Sequence, residues 1–221
     1  MAGRVRVNSR PANKPDLKVD SDAEIEVVGA SSGFASRGAY KLVAALDRFD
    51  INVAQARALD VGASTGGFTD VLLRRGAASV IALDVGYGQL DDKLRRDSRV
   101  TVIDRTNIRH VASKDLPYRP NFVVIDTSFI SLSLVLPAVL KLIDEPAQIV
   151  SLIKPQFEVG KGKVGRGGIL RDAALRAEAV DGVVEFARGL GLDVIGTLES
   201  PITGAAGNVE YLAYLRTRRI N

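Results

Sequence analysis

The sequence predicts a doubly wound, Rossmann-like α/β domain whose seven-stranded sheet contains one antiparallel strand, preceded by a short N-terminal β appendage. Three observations predict it. Short apolar runs near 56–61, 79–84, 100–104, 121–126 and 148–153 are expected to be buried on both faces, as in a parallel sheet. Segments with helical periodicity alternate with these runs, the pattern of crossover connections. The last two runs, 192–199 and 209–216, leave no room for a helix between them and are expected to pair antiparallel.

Taken in order, residues 1–28 differ from the rest. Arg4-Val5-Arg6-Val7 and Glu24-Ile25-Glu26-Val27-Val28 alternate as short strands, and Pro11, Asn13, Lys14 and Pro15 are expected to turn the chain between them. A hairpin of that size does not fold without neighbours. Residues 29–35, rich in Gly, Ser and Ala, are expected to form a linker to a main domain spanning 36–221. Ser36 is expected to cap a helix in which Ala39, Leu42, Val43, Leu46 and Phe49 follow the 3.6 period, with Lys41 beside that stripe. Further helices are expected over 67–75, 88–95, 131–143 and 172–189, and 160–168, with Lys161, Lys163 and Arg166, as a mobile basic loop.

The chain has 221 residues, 46% apolar and 25% charged, enough for one main domain with a sizeable core. A formal charge of +4, from 30 basic against 26 acidic residues, is a weak argument for a polyanionic partner. The absence of cysteine removes disulfides, thiolate metal sites and thiol nucleophiles together, and no metal site is expected. The longest apolar stretch, 132–143, is interrupted by Ser133, Pro137 and Lys141 and falls short of the roughly 20 residues of a membrane helix. No apolar run follows the N-terminal arginines, as a signal peptide would require, so a soluble cytoplasmic protein without a membrane partner is expected.

The chemistry begins at Asp60-Val61-Gly62-Ala63-Ser64-Thr65-Gly66-Gly67-Phe68, a strand running into a glycine turn and then a helix. Such a turn aims backbone N–H groups and the positive helix end at a ligand. Asp84 ends the next strand about twenty residues on, where a nucleoside presents its ribose hydroxyls. The spacing departs from G-x-G-x-x-G because Ala63 and Ser64 stand where a second glycine would receive a pyrophosphate. S-adenosylmethionine, which has none, suits this looser turn, whereas 160–167 lacks the Gly-Lys-Ser/Thr ending of an NTPase loop.

Four charged residues surround that turn. Asp126 and Lys154 end the fourth and fifth strands, Glu210 begins the reversed strand, and Lys41 comes from the preceding helix, so all four are expected at one edge of the sheet. A ribose 2′-hydroxyl attacks poorly unless a base accepts its proton. Lys154 is the candidate base, with Lys41 as the neighbouring cation and with Asp126 and Glu210 orienting the ammonium groups and the hydroxyl. Other chemistries lack their residues: covalent pyrimidine methylation would use a cysteine, and Asp126-Thr127-Ser128-Phe129-Ile130 is not the Pro-Pro-aromatic turn of exocyclic-amine methylation. The single histidine, His110, lies outside all these segments.

At these residues the chain resembles the TlyA-type ribosomal RNA methyltransferases, also known as haemolysin A and related to the FtsJ-like 2′-O-methyltransferases. The resemblance is carried by Ser36-Arg37-Gly38-Ala39-Tyr40-Lys41-Leu42, the 60–68 turn, Asp84-Val85-Gly86-Tyr87-Gly88-Gln89-Leu90, the segments beginning at Asp126 and at Lys154, and Gly207-Asn208-Val209-Glu210-Tyr211. It implies the methyltransferase variant of the fold and a catalytic tetrad of Lys41, Asp126, Lys154 and Glu210. It also implies S-adenosylmethionine held by Gly62, Ala63, Ser64, Thr65, Gly66, Gly67, Phe68, Asp84, Asp126 and, on the adenine side, Asn107. The implied partner is ribosomal RNA or a ribosomal subunit, with cytidine ribose as acceptor. Arg37, Lys161, Lys163 and Arg166, basic residues near the expected opening, are expected to touch phosphates. The family begins with a complete module like that of ribosomal protein S-four, and residues 1–28 resemble only its second half. Two other functions are weighed: a membrane-active haemolysin, which lacks a long apolar or amphipathic cationic segment, and a ribosome assembly factor that binds the donor without turnover.

Overall fold

The computed structural model describes residues 5–12, 17–27, 33–160 and 162–217. The expectations for Arg4, Asn13, Lys14, Pro15, Val28, linker residues 29–32, Lys161 and the Arg166 side chain lie outside the described residues. The chain divides into two compact units, Met1–Gly33 and Phe34–Asn221.

In the first unit β1 (Val5–Val7) lies between β2 (Arg10–Pro11) and β3 (Ile25–Val27), antiparallel to both. The expected pairing of the first and last segments is present, with Arg6 opposite Glu26. The first reversal comes earlier than expected. Asn8 and Ser9, at φ 47° and 66°, turn the chain between Val7 and Arg10. Two successive positive φ values match the twist of a two-residue hairpin, and Pro11 sits on an outer strand rather than in the turn.

The second unit carries helices α1 (Ala39–Arg48), α2 (Gly67–Arg74), α3 (Asp92–Arg95), α4 (Leu132–Leu140), α5 (Pro155–Glu158) and α6 (Ala173–Gly189). Its strands are β4 (Arg57–Val61), β5 (Ser79–Leu83), β6 (Val100–Ile103), β7 (Phe122–Ile125), β8 (Gln148–Ile153), β9 (Leu192–Glu199) and β10 (Tyr211–Thr217). They form one sheet in the order β6-β5-β4-β7-β8-β10-β9, and β10 runs antiparallel to both its neighbours. This is the predicted doubly wound sheet with a single reversed strand. Successive residues of a strand point to opposite faces: Val80 and Ala82 pack with Leu42, Leu46 and Leu72, while Ile81 and Leu83 pack with Leu136, Val139 and Val183. Both faces are covered, which is why these strands read as unbroken apolar runs.

Three local expectations are corrected. Ser36 does not cap α1 through its side chain; the helix begins after Gly38, and Ser36 offers its carbonyl to the Ala39 amide at 3.2 Å. Its hydroxyl sits against Gly67, where an added Cβ would overlap it. The helix expected over 88–95 is confined to Asp92–Arg95, because Gly88 takes φ 64° and Asp91, whose carboxylate caps the helix, is extended at ψ 136°. Helix α4 ends at Leu140 rather than 143.

Strand order fixes where a ligand sits. The chain leaves β4 toward β5 and β6, then returns to β7 on the other side, opening a crevice at the carboxyl ends of β4 and β7. Val61 and Ile125 are paired there, and the Asp126 amide donates to the Val61 carbonyl at 2.9 Å.

Candidate active site

Two cavities adjoin at this crevice. The first, about 690 Å³, is lined by Gly62, Ser64, Asp84, Asn107 and Asp126 among others. The second, about 490 Å³, is lined by Lys41, Asp126, Lys154 and Glu210. Gly62, Ser64, Asp126, Ser128 and Phe129 line both.

The turn after β4 is shaped for close approach. Gly62 has φ 86°, and an added Cβ would overlap the Asp126 carbonyl, so only glycine lets β4 and β7 end side by side. Ser64 holds φ 48°, and its amide donates to Asp84 Oδ2 at 2.8 Å. Asp84 Oδ1 accepts from the Gly86 amide at 2.7 Å, so backbone bonds on both oxygens fix the carboxylate at the cavity edge. Asn107 accepts from the Arg109 amide at 3.1 Å and begins a short 3₁₀ turn, Ile108–His110.

The remaining turn residues expected at the donor line neither of these cavities. Gly66 faces Leu90 and Leu94, Gly67 faces Ser36, and Ala63 and Phe68 are buried in the core, while Thr65 is exposed. They set the conformation of the turn and the start of α2. Beneath it lies Asp60, fully buried: Oδ2 accepts from Thr69 Oγ1 at 2.7 Å and Oδ1 has no partner. Burial pushes this carboxyl up to about 7 against the opposing Thr69 hydrogen bond, and the negative charges of Asp126 and Asp84 add to the rise.

The four charged residues form two ion pairs. Lys41 Nζ lies 2.5 Å from Glu210 Oε2, and both residues are buried. Lys154 Nζ lies 2.6 Å from Asp126 Oδ1 and donates to Ser128 Oγ at 2.8 Å. Glu158 accepts from Ser131 Oγ at 2.6 Å and from the Leu132 amide at 2.9 Å, tying α5, just after Lys154, to the start of α4. Burial raises the Glu158 carboxyl above its ordinary range, opposed by these hydrogen bonds.

Sequence reasoning singled out the tetrad and missed Ser128 and Phe129 as wall residues. Phe129 is 90% exposed, has φ 63°, and its ring lies tilted against that of Phe157 with centroids 5.1 Å apart. A large apolar side chain in the segment after Asp126 was the available signal. Among the proposed phosphate contacts, Arg37 is exposed and Lys163 pairs with Glu178 at 3.0 Å on the surface, a contact of small energy.

Residues 34–217 match the model of the FtsJ-like methyltransferases. The chain belongs to this family. It is 52% identical, over 98% of its length and 81% of the relative's, to the 16S/23S rRNA (cytidine-2′-O)-methyltransferase TlyA of Mycobacterium tuberculosis. Two solved structures are also similar. A candidate hemolysin of Lactococcus lactis is 44% identical with a TM-score of 0.83, over 85% of this chain and 90% of that one. Its counterpart from Streptococcus thermophilus is 42% identical with a TM-score of 0.84, over 98% of this chain and 80% of that one. Among the described residues no helix is long and apolar enough to cross a membrane.

Proposed function

We propose that this FtsJ-family protein is an S-adenosylmethionine-dependent methyltransferase that modifies the 2′-hydroxyl of cytidine in ribosomal RNA, working on ribosomal subunits in the cytoplasm. The observation that carries the reading is the shared wall: a cavity edged by Asp84 and Asn107 adjoins one edged by Lys41, Asp126, Lys154 and Glu210.

The residues present suit the donor. The first cavity has the size of a cofactor site, Gly62 lines it, and the Asp84 carboxylate is fixed where ribose hydroxyls would meet it. Gly62, Ser64, Asp84 and Asn107 would hold the nucleoside, while Ala63, Thr65, Gly66, Gly67 and Phe68 keep the turn in shape. When bound, S-adenosylmethionine supplies an electrophilic methyl group on a sulfonium that becomes neutral as the methyl leaves. Asp126, on the common wall, stands between donor and acceptor.

In the second cavity Lys154 accepts the proton of the 2′-hydroxyl. The ammonium so formed is steadied by Asp126 and by Ser128, the role an orienting carboxylate has beside any general base. Lys41 and Glu210 hold each other in place and supply a donor and an acceptor beside the acceptor sugar. Burial of Lys41, Lys154 and Glu210 strengthens their interactions and holds them apart from bulk water.

Residues 1–28 serve in this reading as part of an S-four-like RNA-binding module and 29–35 as its linker, with Arg37, Lys161, Lys163 and Arg166 on phosphates. The experiment is transfer of labelled methyl from S-adenosylmethionine to ribosomal subunits, followed by mapping of 2′-O-methyl sites. Wild type is expected to label cytidine ribose, and Lys154→Ala and Glu210→Ala to bind the donor yet lose transfer. Donor binding by wild type with no transfer to any subunit would replace this reading with the assembly role.

A further inference from the structure

One wall of the tetrad cavity differs from the others. Gly167, Gly168, Gly204, Ala205 and Ala206 offer it backbone and methyl groups from two separate loops. Gly167 and Gly168 both hold left-handed φ, 78° and 75°, a conformation that glycine readily leaves for others.

Asn208 ties the two loops together. It is 4% exposed; its Oδ1 accepts from the Leu170 amide at 2.9 Å and its Nδ2 donates to the Gly168 carbonyl at 2.9 Å. Its own carbonyl accepts from the Gly204 amide at 2.9 Å, and Gly207 closes the turn by donating to the Gly204 carbonyl at 2.8 Å. One residue therefore bonds both walls, two positions before Glu210. Gly204 in turn lies against the Glu210 carboxylate, where any Cβ would overlap Oε1. The clamp, the bare wall and Glu210 are thus connected, while Asp84 and Asn107 of the donor cavity stand on other elements.

We infer that Asn208 is a positioning residue for the acceptor: its carboxamide and its carbonyl clamp a glycine loop and a glycine-alanine loop into a wall of small residues against which the sugar of one extruded nucleotide rests. This rests on the proposed function in identifying the occupant as a nucleotide. A wall of glycines and alanines, without long side chains, lets a sugar-phosphate approach closely, the type of contact that places a strand without reading its sequence. If the wall were loose, the hydroxyl would have to find its place beside Lys154 by chance, and a displacement of about 1 Å can cost about 100-fold in rate.

The test uses the full chain with Asn208→Ala and Asn208→Asp. The second variant keeps an acceptor for the Leu170 amide but turns an oxygen toward the Gly168 carbonyl, so it opens only that side of the clamp. Both are expected to speed hydrogen exchange at residues 165–170 by at least about tenfold and to lower kcat on the RNA substrate by at least about tenfold. The affinity for S-adenosylhomocysteine, measured by calorimetry, is expected to stay within about twofold, below 0.5 kcal/mol by the affinity relation. Unchanged loop exchange, or unchanged kcat in a variant whose loop has loosened, would overturn the clamp. Loss of donor affinity together with faster exchange throughout the domain would show a general structural role instead. Should these variants not fold, Gly167→Ala strains the same loop at a position with open space around it, and its expected signature is the same. A wild-type protein that methylates no RNA sinks the proposed function, while the exchange measurement still decides whether Asn208 holds the loops.

Discussion

Asp60 makes the stability of this protein depend on pH in a way that can be worked through. The perturbation is Asp60→Asn, which keeps an oxygen for Thr69 and removes a titrating group from a site with no solvent access. The folded carboxyl sits at about 7 against an ordinary 3.8. Between those values the folded state binds more protons than the unfolded state, so stability falls as pH rises through that window and is level above it. Integrating from pH 5 to pH 8 gives a loss of roughly 2–3 kcal/mol from this group. The assay is denaturant unfolding of both proteins at pH 5, 6, 7 and 8. The variant's stability relative to wild type should rise by roughly 2–3 kcal/mol across the series, other titrations cancelling in the difference. A difference that stays flat, or falls with pH, refutes the account of Asp60 as a buried, desolvated acid.

Two further predictions concern the cavity walls. Lys41→Met leaves Glu210 buried without its partner and should cost about 3–5 kcal/mol in unfolding experiments, with Lys41→Met/Glu210→Gln recovering a large part of it; equal losses in single and double variants would mean the pair is not coupled. Phe129→Ala removes an exposed ring from the rim of both cavities, so melting should change by no more than about 0.5 kcal/mol. The KM for RNA should nevertheless rise several-fold if the ring stacks on a base of the acceptor strand, and an unchanged KM removes Phe129 from the acceptor site.

The strands were legible because a parallel strand covered on both faces must be apolar throughout, and Val80 to Leu83 show that demand plainly. Glycines were less legible. Gly62 and Gly66 look alike in the sequence, yet one opens space between β4 and β7 while the other makes room for Leu90 and Leu94. Ser36 carries the signature of a helix cap, but its hydroxyl is set against Gly67 from a distant part of the chain. Phe129 and Asn208 gave no periodic signal, since one is exposed on a strained turn and the other acts by bonding a loop forty residues away.

By itself the sequence determined the alternation of elements, the reversed last strand and the four charged residues, because burial pattern, connection length and residue chemistry are local properties. The tertiary structure decided which charges pair. Strand register continues from Tyr211 opposite Ile153 to bring Glu210 beside Lys154, yet Glu210 bonds Lys41 from α1, and Lys154 turns to Asp126 and Ser128. That choice depends on how a helix and three strand ends meet at the crevice, a relation between segments far apart in the chain.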